Sequence, residues 1–223
     1  MSLLKSLSPQ CRESPKNWAF NMKTEFEAKF YPVNKDEYRK KLKEVGAGLA
    51  IPERKMRRVI ADHHVNKNLG CDYIRIRHEG GVIRLSAKVH AKEGGEVGDQ
   101  KEADMEVGDF DKTKEILELA GLIFNKYQES LREEWEFEGA NITIDTWPCL
   151  EPYSEIEAAS EEEVKNIAQK LGLSWENKLL STLDELCSRV YGISQEEALQ
   201  KITNLTFENN PFEGMKKIWS LKG

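Results

Sequence analysis

The sequence predicts an α+β fold: a closed or nearly closed antiparallel β-barrel with helices packed outside it and a C-terminal helical appendage. Three observations carry this. Short segments alternate polar and apolar residues with period two, and their polar faces bear charges of both signs. Three acidic segments of this kind each run straight into a capped helix. From about Trp175 onward helical periodicity replaces the alternation.

Residues 1–21, with Pro9 and Pro15 and mixed polarity, read as an N-terminal extension, with Met22 as an alternative start. Thr24 to Phe30 (TEFEAKF) alternates strictly and puts Glu25, Glu27 and Lys29 on one face. Asn34 then caps a helix, with Glu37 completing a capping box, Tyr38, Leu42 and Val45 as apolar contacts and Gly46 as the stop. The unit repeats as ADMEV, with Asp104 and Glu106 on one face, followed by a helix from about Asp111 to near Gly121. It repeats again as SEIEA, with Glu155 and Glu157, followed by a helix capped by Ser160 and Glu163 and striped with Val164, Ile167, Ala168 and Leu171 before Gly172. DYIRIRHE, VIRLSAKVH, SLREEWEFEG and NITIDTW supply further strands, about seven or eight in all. GGEVGDQK reads as a flexible hairpin or loop, since no GxxxxGK[ST] follows a strand. The chain thus divides into an extension (1–21), a barrel domain (22–174) and an appendage (175–223) of two helices separated by Tyr191-Gly192.

Hydrophobic residues make up 39% and charged residues 32% of the 223, a globular balance, and no apolar run approaches the roughly 20 residues that span a bilayer. With no signal-peptide core near the N-terminus, the expected location is the cytoplasm. Cys11, Cys71, Cys149 and Cys187 lie far apart without zinc-ligand spacing and read as scattered reduced thiols. A net charge of −6 argues against nucleic acid as a partner, because such binding rests on a basic surface. It leaves room for a local basic pocket.

In an ordinary half-buried strand the apolar face meets the core and the charged face meets water. That account suffices for any one strand here, such as Ile74 and Ile76 against Arg75 and Arg77. It fails for the set, because the intervening helices have apolar stripes that need the apolar strand faces as partners. The charged faces then converge inside a barrel, whose closure also removes exposed strand edges. Such a lumen needs compensating charges. The sequence supplies a basic set, Lys29, Arg75, Arg77, Lys88 and Arg132, and an acidic set, Glu25, Glu27, Asp104, Glu106, Asp145, Glu155 and Glu157. Guanidinium groups match phosphate oxygens and carboxylates suit Mg²⁺ or Mn²⁺, so a metal-bound polyphosphate satisfies both sets.

Glu25-Phe-Glu27-Ala-Lys29 resembles the ExExK signature of the CYTH family of triphosphate tunnel metalloenzymes, which includes class IV adenylyl cyclases, thiamine triphosphatases and inorganic tripolyphosphatases. Arg75 to Arg77 (RIR), Lys88, Asp104 to Glu106 (DME), Arg132, Asp145 and Glu155 to Glu157 (EIE) follow in the family's order, and the resemblance covers roughly residues 22–173. It implies that Lys29, Arg75, Arg77, Lys88 and Arg132 grip a triphosphate and that Glu25, Glu27, Asp145, Glu155 and Glu157 handle Mg²⁺ or Mn²⁺. Lys29, Arg132 and Glu106 are the implied catalytic residues, with Asp104, Arg84 and Lys126 as further candidates. Two positions depart from the family pattern. Glu102 stands where an arginine is common, and Lys126 and Arg132 are further apart than the usual basic pair.

The implied function is a metal-dependent triphosphatase acting on tripolyphosphate, thiamine triphosphate or a nucleoside triphosphate, as a monomer or homodimer. The first alternative is a class IV adenylyl cyclase. Some cyclase members carry a His-Phe pair just before ExExK where this chain has Asn17-Trp18, which tilts the reading toward hydrolysis. The second alternative, a noncatalytic polyphosphate-binding module, is disfavoured by the full set of metal carboxylates. Other reactive residues have plainer readings. His63-His64, as strand neighbours, would point to opposite faces and not chelate together. Trp135 and Trp147 read as packing residues under the helices, Cys149 lacks a histidine partner for nucleophilic catalysis, and of the EWEFE region only Arg132 is assigned to the site.

Overall fold

The computed structural model describes residues 22–89 and 96–221. The expected N-terminal extension, Asn17-Trp18 and part of the glycine-rich loop lie outside the described residues. Eight antiparallel strands close a barrel in the order β2-β3-β4-β5-β1-β8-β7-β6 and back to β2. They are β1 (Lys23–Phe30), β2 (Gly48–Asp62), β3 (Tyr73–His78), β4 (Ile83–Val89), β5 (Gln100–Glu106), β6 (Lys126–Phe137), β7 (Ala140–Thr146) and β8 (Tyr153–Ala158). A two-residue strand, β9 (Asn204–Leu205), adds in parallel to β6. Among the described residues there are five α-helices, α1 (Lys35–Glu44), α2 (Phe110–Leu119), α3 (Glu161–Lys170), α4 (Leu183–Tyr191) and α5 (Gln195–Lys201), and none is long and apolar enough to cross a membrane.

The three strand-then-helix units form as expected, because each helix start is locally encoded. Asn34 accepts from the amides of Asp36 and Glu37, Asp109 from that of Lys112, and Ser160 from that of Glu163. The helices lie outside. Ala28 and Phe30, Ile142 and Ile144, and Ile156 present the outer barrel face to Tyr38 and Leu42 of α1 and to Val164 and Ile167 of α3. Phe110 and Leu117 of α2 cover Val59 and Ile76 on the other side. With the apolar strand faces thus used, period two turns the charged faces inward.

Missing from the expected strands is the longest one, β2, of 15 residues. Pro52 and register shifts between Leu49 and Arg54 interrupt it, and charges fall on both of its faces, so no alternation is visible. Its pairing with β6 is what closes the barrel. The glycine-rich segment is also more ordered than a flexible loop where it is described. Val97–Asp99 form a 3₁₀ turn capped by Glu96, and a Cβ on Gly98 would lie 2.8 Å from the Phe26 ring, so only glycine fits that approach.

The C-terminal helices are fused to one end of the barrel. Leu179 pairs with Lys29 of β1 through two backbone hydrogen bonds. Leu186, Val190, Ala198, Ile202 and Phe212 then share an apolar cluster with Tyr31, Trp147, Leu150 and Tyr153 of the barrel. Two cysteines that look scattered in sequence meet here. Cys149 and Cys187 are buried free thiols with sulfurs 3.5 Å apart, and their mutual contact and burial push the Cys187 thiol up.

Candidate active site

The inward faces of the strands line a cavity of about 780 Å³ that runs from the barrel to the C-terminal helices. Strand β1 contributes Glu25, Glu27 and Lys29. Across its antiparallel neighbour Glu157 lies opposite Glu27, and Glu155 opposite Lys29. Arg75 and Arg77 come from β3, Arg84 and Lys88 from β4, Glu102 and Asp104 from β5, Lys126, Arg132 and Glu134 from β6.

The charges are interlocked. Lys88 Nζ lies 2.7 Å from Glu25, 3.2 Å from Glu27 and 3.7 Å from Glu102. Lys29 Nζ lies 3.4 Å from Glu27 and 3.3 Å from Glu155. Arg132 makes two parallel 2.8 Å hydrogen bonds to Asp145 and one of 2.7 Å to Glu155, and Thr143 fixes Asp145 from behind. Arg75 donates to Glu102 at 2.9 Å, while its buried Nε has no partner. A buried guanidinium nitrogen left over on a cavity wall is an unmet demand for an anion.

Burial, only partly offset by Lys88, pushes the Glu25 carboxyl up to about 8, and its proton bonds Glu102. Glu102 is held down: burial opposes ionisation, but Arg75 and the hydrogen bond from Glu25 outweigh it. Glu27 is likewise held ionised against burial by Lys88 and Lys29. Burial and the neighbouring Arg75 charge bring both Arg58 and Arg77 down to about 10. At the appendage end, Asp62 is depressed despite burial by hydrogen bonds from Lys126 and Asn125.

These shifts set opposite pH slopes. A depressed carboxyl stabilises the fold above its unfolded value of about 4 and loses that contribution as pH falls. The raised Glu25 stabilises below its unfolded value and loses its contribution as pH rises through about 8. Urea unfolding should therefore show stability falling below about pH 4 and again toward pH 8. Asp62→Asn should flatten the acid limb, and an unchanged acid limb in that variant would contradict the Lys126–Asp62 pairing.

Most candidate residues from the sequence line this one cavity, including Lys126 and Arg84 at its margins. Two are placed differently. Glu106 is exposed, sits 3.4 Å from Arg84 and is not on the cavity wall, because β5 has run out to the rim by that position. Asp145 is 1% exposed and lies behind Arg132, which takes both of its oxygens, so it orients the guanidinium and does not face the lumen. The sequence reading also missed residues. Arg58 of β2 lies 4.5 Å over the Trp147 ring and donates to Gln128 at 2.8 Å. Glu79 pairs with Arg77, Glu134 pairs with Arg54, and the tyrosine at 153 completes the wall beside Glu155. Glu79 could have been found from RIRHE, since it continues the period of Arg75 and Arg77.

The histidine pair is corrected in its geometry. His63 and His64 follow β2 in a turn, their rings are 4.1 Å apart, and both line the end of the cavity. Trp135 packs in the outer core, and Trp147 packs in the appendage cluster with its indole N–H donating to Tyr153. Among the described residues no three histidine, cysteine or acidic groups stand together at metal-binding spacing.

A family model described as the CYTH domain matches residues 23–183. No curated protein sequence matches the chain. Solved structures share the fold. A conserved hypothetical protein from Pyrococcus furiosus has a TM-score of 0.60 at 18% identity, covering 71% of this chain and 97% of its own. A Vibrio parahaemolyticus protein described as a "putative adenylate cyclase" has a TM-score of 0.61 at 15% identity, covering 74% and 98%. A Hippeastrum protein described as a "putative adenylyl cyclase" that reveals a dominant triphosphatase activity has a TM-score of 0.52 at 13% identity, covering 76% and 97%. With a family model spanning most of its length and a closed, charge-lined barrel to match, this chain belongs to the CYTH family.

Proposed function

We propose that this chain is a divalent-metal-dependent hydrolase of triphosphate compounds. The observation that carries the reading is the ring of buried and half-buried cations, Lys29, Arg75, Arg77, Lys88 and Arg132, converging from four strands on one cavity. Phosphoryl transfer requires positioning and charge stabilisation more than covalent help, and this lumen offers both.

The acidic residues fit a divalent metal in chemistry. Glu27 and Glu157 stand directly opposite across β1 and β8, a like-charge pairing that a cation relieves. Glu25, Glu27 and Glu157 are the oxygen donors we assign, with Glu155 beside them. Bound there, Mg²⁺ or Mn²⁺ supplies Lewis-acid neutralisation of phosphate oxygens.

The chain's own residues do the rest. Arg132, locked by Asp145 and Thr143, presents a fixed fork to the phosphates. Lys29 and Lys88 exchange carboxylate partners for phosphate oxygens, which frees Glu25 and Glu27. Glu106 is not given a catalytic role, because it stands outside the cavity; Glu102 occupies that strand's inward position.

The test is incubation with Mg²⁺ or Mn²⁺ and, separately, tripolyphosphate, thiamine triphosphate and ATP, resolving phosphate, pyrophosphate and cyclic AMP. Phosphate release that stops with EDTA and falls at least about 100-fold in Glu157→Gln is expected. Cyclic AMP with pyrophosphate from ATP would replace the hydrolase reading with a cyclase one. No turnover of any compound would leave a binding module.

A further inference from the structure

Among the described residues, Arg58 of β2 is the one lysine or arginine on the cavity wall without a carboxylate partner. Each of the others is ion-paired, as Arg75 is to Glu102, Lys88 to Glu25 and Lys126 to Asp62. The hydrogen bond that Arg58 makes among the described residues runs from Nε to Gln128 at 2.8 Å, which leaves its terminal guanidinium nitrogens without a protein acceptor there.

The charges closest to Arg58 are of its own sign. Arg77 stands directly opposite it in the β2–β3 register, and Arg75 follows on the same face of β3. Burial and the Arg75 charge together make the Arg58 guanidinium easier to deprotonate than usual, and no carboxylate offsets them. Like charges gathered on a poorly hydrated wall repel until an anion stands between them.

The guanidinium is also held in place before any ligand arrives. It lies 4.5 Å over the Trp147 ring, and that indole is fixed by its own N–H bond to the Tyr153 hydroxyl. Gln128, fully buried, is anchored in turn by donating to the Ile202 carbonyl at 2.6 Å. One face of the guanidinium is thus covered by a ring and its Nε is spent on an amide oxygen. The outer fork remains, and its geometry matches the oxygens of a phosphoryl group.

We propose that Arg58 is the docking residue for a phosphoryl group and binds it in the absence of a divalent metal. Lys29, Arg75, Arg77, Lys88 and Arg132 each give up a carboxylate contact in order to hold phosphate. Arg58 gives up none, so it makes the first contact and positions the remaining phosphates against the other five. This rests on the reading of the cavity as a phosphate site and is independent of whether hydrolysis follows.

The experiment is titration calorimetry of tripolyphosphate and, separately, orthophosphate in excess EDTA at fixed ionic strength. The proteins are the wild type, Arg58→Gln and Lys23→Gln, with each fold checked by thermal unfolding. Lys23 lines the same cavity but is exposed and paired with Glu157, so its variant removes the same charge without removing an unpaired fork. The wild type should bind tripolyphosphate without metal. Arg58→Gln should bind it at least about tenfold more weakly, the loss expected for a charge-assisted hydrogen bond, and Lys23→Gln less than about threefold more weakly. If Arg58→Gln does not fold, Arg58→Lys takes its place, which keeps the charge but not the fork and should bind at least about threefold more weakly. Three results overturn the inference: no metal-free binding by the wild type, wild-type affinity in the folded Arg58 variant, or an equal loss in Lys23→Gln. Phosphate release with Mg²⁺, measured on the same preparations, separates the two readings. Turnover without metal-free binding leaves the triphosphatase standing alone, and metal-free binding through Arg58 without turnover leaves the docking residue standing alone.

Discussion

Arg132→Ala should lower unfolding free energy by about 3–5 kcal/mol and reduce triphosphate turnover by at least about 100-fold. The guanidinium is buried and neutralises Asp145 and Glu155 together, through hydrogen bonds of 2.7 and 2.8 Å. Removing it leaves the deeply buried Asp145 without a counter-ion and Glu155 with Lys29 alone, and the cost of that unpaired charge exceeds the worth of the original pair. Arg132→Lys separates the two roles. It keeps the charge, so most stability should return, but an ammonium cannot reproduce the parallel fork, so turnover should stay low. Urea unfolding and steady-state kinetics on both variants decide this. If Arg132→Lys recovered activity as fully as stability, charge alone would suffice and the fork would have no catalytic role.

Phe212→Ala should cost about 3–5 kcal/mol, although the residue lies far along the chain from the barrel domain expected from sequence. The ring is 1% exposed and packs 4.8 Å from the Tyr191 ring, in a cluster that also contains Tyr31, Trp147 and Tyr153 of the barrel. Truncation opens a cavity where helices and barrel are cemented. Because the cluster is shared, denaturation of the variant followed by tryptophan fluorescence and by circular dichroism should give one coincident transition shifted to lower urea. Two separated transitions would mean that the C-terminal helices fold as an independent unit.

The expected barrel, its outer helices and the inward direction of most charged residues agree with the structure because each rests on a local rule. Period two in TEFEAKF or YIRIRH assigns a face without any knowledge of neighbours, and Asn34, Asp109 and Ser160 mark helix starts through hydrogen bonds that reach only a few residues. Where local rules are silent the reading is silent too. Strand β2 carries charge on both faces and a proline near its start, so neither it nor Arg58 stands out. The meeting of Cys149 with Cys187, 38 residues apart, has no sequence signal at all.

The sequence by itself thus determined the fold class and the side of each visible strand that carries charge. Only the tertiary structure decided how deep each charge lies and what touches it. Glu102, Asp104 and Glu106 share one face of β5, yet the first contacts Lys88 inside while the last stands at the rim. Asp145 lies level with Arg132 across the β6–β7 pairing, yet it sits behind the guanidinium and off the cavity wall. The physical reason is that alternation fixes only an angle about the strand. Position along the barrel is set by the register and tilt of strands paired across long sequence separations, and the closing β2–β6 pairing and the C-terminal helices complete the wall.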